Sequence, residues 1–138
     1  MRQLIAVFVA ACVLYALPVQ NIDRPDSTRL IGQWLSDERF EAQPRVALTI
    51  RQDGATHAGV AVLRGLTEGE NDRATLMLSF CAADWDGQRL VFKTEIADEG
   101  VTAWELRLTK GNEATLRVLA EDGKPIEEGP SWRMAKKK

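Results

Sequence analysis

One histidine, His57, and two cysteines, Cys12 and Cys81, are all the imidazole and thiol groups that 138 residues contain. A zinc site or a histidine-based catalytic triad draws on several such groups, so neither is expected here. Basic charge is equally scarce. Eighteen Lys and Arg face 20 Asp and Glu, a net charge of -2, where a nucleic-acid binder usually carries a basic face. There is no glycine-rich phosphate loop, no G-x-S-x-G, no low-complexity tract and no repeat at a fixed period. Nor does the mature part hold a helical pattern of about 12 residues, which argues against α/β folds. We therefore expect no catalytic residue, no metal and no cofactor.

What the chain does have begins with an apolar leader. After Met1-Arg2-Gln3, "LIAVFVAACVLYALPV" runs from Leu4 to Val19 without a charge. A basic start followed by such a run reads as an export signal over residues 1–20, implying a periplasmic protein. Two variants stay open: an uncleaved membrane anchor through residues 4–19, and a lipidated Cys12 in the lipobox-like "VAAC". Removal of the leader leaves Cys81 as the one cysteine. Its setting, "LMLSFCAAD", suggests a buried structural thiol, because the near neighbours Asp84 and Asp86 would not activate it.

Residues 21–28 form a polar lead-in, in which Asp26-Ser27 can cap a short turn. From Arg29 to Lys138 the pattern has period two almost throughout. "VALTIRQ" sets Val46, Leu48 and Ile50 on one face, and Asp53-Gly54 then signals a tight turn. The same reading gives eight strands, near 29–36, 46–52, 57–64, 73–80, 88–96, 102–109, 113–120 and 130–136. Short strands joined by Gly, Asp and Asn turns mark an all-β sandwich or barrel. Turns of a few residues favour an up-and-down meander, and eight antiparallel strands can close and leave no edge. The expected fold is an eight-stranded antiparallel up-and-down barrel. Its interior face would carry Val46, Leu48, Ile50, Val60, Val62, Leu76, Leu78, Phe80, Leu90, Phe92, Trp104, Leu106, Leu108, Leu116 and Val118.

Gly32-x-Trp34 on the first strand, the meander order, and Arg133 in "SWRM" on the last strand together resemble the calycins. That superfamily includes the lipocalins, fatty-acid-binding proteins and avidins. The resemblance implies a small bacterial lipocalin-like domain, with Arg133 packed across the Trp34 indole at one end of the barrel. It also implies an apolar ligand entering at the opposite mouth, against Leu48, Val62, Leu78, Phe92, Trp104 and Leu106. The second and third lipocalin motifs and the C-terminal helix are not found. An eight-stranded barrel is either filled by its own side chains or just wide enough for one small ligand, and the bulky list above tilts towards filled.

Elsewhere the residues read as structural. His57 flanks a turn and is expected in solvent. "DWDG" at Asp84–Gly87 opens like a calcium loop but lacks the later oxygens, so Asp86-Gly87 is expected as a hairpin turn. Trp85 beside it is the one tryptophan singled out for recognition. "TEGENDR" reads as a solvated acidic loop, and the "AKKK" tail as a solubility feature. Two functions follow. The first is an exported, non-enzymatic carrier of a small hydrophobic molecule or lipid. The second is an envelope interaction module with a filled barrel, meeting a protein partner through loops such as 65–73 and 82–88. No nucleic acid is expected, and membrane contact only through the N-terminal segment.

Overall fold

The computed structural model describes residues 26–65, 75–96 and 100–138; the expected leader, the "TEGENDR" stretch expected as an acidic loop, and residues 97–99 lie outside them. Eleven strands appear in order: β1 Gly32–Ser36, β2 Arg39–Phe40, β3 Gln43–Pro44, β4 Val46–Asp53, β5 Thr56–Arg64, β6 Thr75–Trp85, β7 Arg89–Ile96, β8 Gly100–Leu108, β9 Glu113–Glu121, β10 Lys124–Pro125 and β11 Ser131–Lys136. Eight of them close a ring, β1-β4-β5-β6-β7-β8-β9-β11 and back to β1, every neighbour antiparallel. The short pairs β2–β3 and β10–β9 sit in the connections. This is the closed eight-stranded antiparallel barrel that the alternation predicts.

Alternation decides the inside. Trp34, Leu48, Ile50, Phe80, Leu90, Phe92, Trp104, Leu106, Leu116, Trp132 and Met134 form one buried cluster. Strand β5 departs from expectation. Cα partners Val46↔Leu63, Leu48↔Ala61 and Ile50↔Gly59 put Gly59, Ala61 and Leu63 inward, so Val60 and Val62 stand half-exposed on the outer face. Volume explains the choice. A Cβ on Gly59 would lie 1.9 Å from the Thr49 carbonyl and 2.7 Å from the Phe80 ring, so the rings leave room there only for small residues. Small-against-large packing is how narrow barrels fill.

Strand β6 also runs further than its pattern suggests. Ala82 takes a positive φ of 54°, and the β5–β6 register slips between His57↔Ala83 and Gly59↔Phe80. This bulge lets Phe80 and Ala83, three residues apart, both face the core, and it carries the strand on to Trp85.

One end of the barrel is capped by the lead-in. The Ser27 carbonyl accepts the Leu30 and Ile31 N–H groups, making a turn where the sequence suggested strand from Arg29. The turn lays Leu30 over the fully buried Trp34, whose indole N–H donates to the Leu30 carbonyl at 2.9 Å. Arg133 does not pack across this indole. It points outward and is exposed, because Trp132 and Met134 take the inward positions of β11. The basic residue at this end is Lys136, paired opposite Trp34, whose Nζ donates to the Thr28 and Arg29 carbonyls at 3.3 and 3.0 Å. Gly32 is required beneath it. Its φ is +136°, and a Cβ would meet the Lys136 stem at 2.9 Å.

Candidate functional site

Three places merit comparison: the interior, an ion cluster outside, and a pocket at the capped end. In the interior a row of rings crosses the barrel. Phe80 and Phe92 stack with centroids 4.3 Å apart, Phe92 and Trp104 at 6.1 Å, and Trp104 and Trp132 at 6.1 Å. Both indoles in this row have partners. Trp104 donates to Thr94 Oγ1 at 2.8 Å, and Trp132 to Glu38 Oε2 at 3.2 Å. Of the residues expected to line a ligand, Leu48, Phe92, Trp104 and Leu106 are buried in this packing, and Leu78 packs half-buried against it. Val62 faces away from it altogether. Four of the six side chains named as a lining thus pack against one another in the core.

On the outer face of β8, Glu105 is only 1% exposed although it points away from the core. Three arginines cover it. Arg89 reaches Oε2 at 2.9 Å, Arg117 reaches Oε1 at 3.0 Å, and Arg107 reaches Oε1 at 3.4 Å. The register aligns them, with Glu105 opposite Arg117 on β9 and Arg89 opposite Arg107 across β7–β8. Burial alone would raise the Glu105 carboxyl. The hydrogen bonds from Arg89 and Arg117, with the Arg117 and Arg107 charges, outweigh it and hold the carboxyl below its ordinary range. Every oxygen is paired, which makes this a strut.

The pocket is different. His57, expected in solvent, is 5% exposed, and neither ring nitrogen has a hydrogen-bond partner. Register puts it there. Gln52↔His57 across β4–β5 and His57↔Ala83 across β5–β6 bring Gln52, His57 and Ala83 into one row at the capped end. Together with Ser27, Ala55, Asp84 and Trp85 they line a cavity of about 110 Å³. Trp85 belongs to the end of β6, half-buried, with its indole N–H on the Asp26 carbonyl at 3.2 Å. Burial pushes the imidazole pKa down from 6.5, so at neutral pH the ring is uncharged, with one donor and one acceptor nitrogen. Leaving such groups unpaired in the interior costs about 1–3 kcal/mol. A polar occupant of the cavity removes that cost.

The remaining sequence candidates fall into place around these. Asp86 is a hairpin turn, its carboxylate accepting the Gln88 and Arg89 backbone N–H groups at 2.9 and 2.8 Å. Those backbone bonds, that of Arg89 foremost, hold its carboxyl below the usual range. Among the described residues no group of three or more His, Cys, Asp and Glu is placed to hold a metal ion. Cys81 is disulfide-bonded and half-buried, not the lone thiol expected, so it has no thiolate to offer. No family model matches the chain, and neither a curated protein nor a solved structure matches it. The site therefore rests on its own geometry. Trp85, singled out from the sequence, lines this pocket, and so does His57, expected in solvent because a residue two places after a turn looks solvated until the strands on both sides of it are in register.

Proposed function

We propose that this chain is an exported, non-enzymatic, lipocalin-like binding protein, and that its ligand seat is the pocket around His57 and Trp85. The observation that carries this is a buried imidazole, unpaired at both nitrogens, on the wall of a cavity. Unpaired polar groups converging on a concave surface are what fixes the orientation of a small molecule. The lipocalin-like assignment draws on the closed barrel with Gly32 and Trp34 on its first strand; the departure at Arg133 moves the basic role to Lys136. Export draws on the leader alone. Residues 1–20 are the signal or anchor, and 29–138 the binding domain.

A second reading is favoured by the row of packed rings in the interior: an envelope interaction module with no ligand, meeting a protein through the 82–88 hairpin and the 65–73 loop. One experiment separates the two. Protein recovered from its own envelope fraction is weighed by mass spectrometry under native and denaturing conditions, as wild type and as His57→Leu. The binding reading expects a discrete small mass on the native wild type that is lost on denaturation and absent from the variant. Wild type and variant carrying the same small mass would contradict the seat; both running bare would favour the interaction module. The denatured mass also reports whether Cys12 is still attached and whether it is lipidated.

A further inference from the structure

We infer that the group seated in the His57 pocket is a primary ammonium on a short aliphatic stem. The inference rests on the binding reading above and names the chemistry it would select.

Charge comes first. Among the seven lining residues Asp84 carries the one formal charge, and it is negative. No lysine or arginine stands in the wall to welcome a carboxylate or phosphate. Acceptors come next. The uncharged His57 ring has one lone pair and one N–H, Ser27 and Gln52 add a hydroxyl and an amide, and Asp84 stands at the exposed rim of the lining. An ammonium has three N–H donors for the ring lone pair and these oxygens, whereas a carboxylate or phosphate would stand beside the Asp84 charge with no lysine or arginine in the wall to offset it. Ala55 and Ala83 add small apolar surface for a stem, and the Trp85 indole belongs to the ring type that most favours a cation over a neutral group. The remaining Asp84 charge balances the ligand's own. Volume sets the scale. About 110 Å³ admits a few non-hydrogen atoms, the size of a propylamine or the end of a lysine side chain.

The two sources of such a group, a free small amine and a lysine of another protein, share this chemistry and are separated by the probes. Because His57 is the single histidine of the chain, its ring nitrogens give an unambiguous 15N signal in the full protein. That signal is followed at neutral pH while propylammonium, propanol, propionate or an N-acetyl-lysine amide is added. The expected result is a saturable shift with propylammonium, none with propionate, and at least tenfold weaker response to propanol. Asp84→Asn should weaken propylammonium binding about tenfold and leave the folded spectrum intact. Tighter binding of the lysine amide than of propylammonium assigns the group to a partner's side chain; the reverse assigns it to a free amine.

A saturable shift with propionate or propanol but not with the ammonium would overturn the inference and leave the binding reading standing. An unmoved His57 signal with all four probes would overturn it as well, marking a pocket that holds water only. The envelope-recovered native mass then decides the binding reading independently.

Discussion

Glu105 and His57 are both buried titratable groups on barrel strands, and their surroundings are opposites. Glu105 has three arginines on two oxygens; His57 has two ring nitrogens and no hydrogen-bond partner. A protein interior tolerates a polar group when its bonds are made within the fold, as at Glu105. When they are not made, and a cavity adjoins, the missing partner is best sought outside the chain. The contrast separates a stabilising element from a site without recourse to any relative.

The contrast can be broken most forcefully at Glu105. Glu105→Ala removes the carboxylate that three arginines share and should cost about 2–3 kcal/mol in urea unfolding. That is below the figure for a fully buried pair, because the arginines are roughly half exposed and water takes up part of the loss. A change under about 0.5 kcal/mol would mean the cluster does not brace the fold.

Lowering the pH sharpens the comparison in two separate windows. Each group has a folded-state pKa below its ordinary value, so each supplies stability above that value that is lost as pH falls through the folded one. For His57 the loss begins below 6.5, where the unfolded ring takes up its proton first. For Glu105 it begins below 4.5. Unfolding free energies across pH 3–8, an interval of about five units around these values, should show both slopes in the wild type. His57→Leu should flatten the upper slope alone, and Glu105→Gln the lower one alone.

The smallest effect belongs to one arginine. Arg107→Gln removes the longest of the three contacts, 3.4 Å, and leaves the other two, so the loss should stay below about 1 kcal/mol. Arg89→Gln and Arg117→Gln, which remove the 2.9 and 3.0 Å bonds, should each cost more.

Much of this architecture was legible in period-two alternation and turn residues, because a closed barrel needs only that each strand know its inner face. Strand β5 misled for a physical reason. Val60 and Val62 look like core, yet Phe80 over Gly59 leaves room inside only for small side chains, and the valines turn outward. The bulge at Ala82 was invisible for another, since nothing in "FCAAD" marks which residue gives up its pairing. Both features govern the site. The inward row of β5 runs on to His57, and the bulge brings Ala83 opposite it and Trp85 to the cavity wall. Trp85 was visible as a candidate from its place beside a hairpin turn. His57 was not, because its burial is a product of closure and no local pattern records it. Arg133 illustrates the converse: the right residue type near the right end, on the wrong face of its strand.

The most direct test of the central claim is the unfolding free energy of His57→Leu at neutral pH, measured beside the wild type without added ligand. If the ring is held in the core without hydrogen bonds, an apolar replacement of similar size leaves stability unchanged or raises it by up to about 2 kcal/mol. A loss of about 2 kcal/mol or more would mean that the fold itself supplies the imidazole with partners, and the pocket would then be a structural element like Glu105.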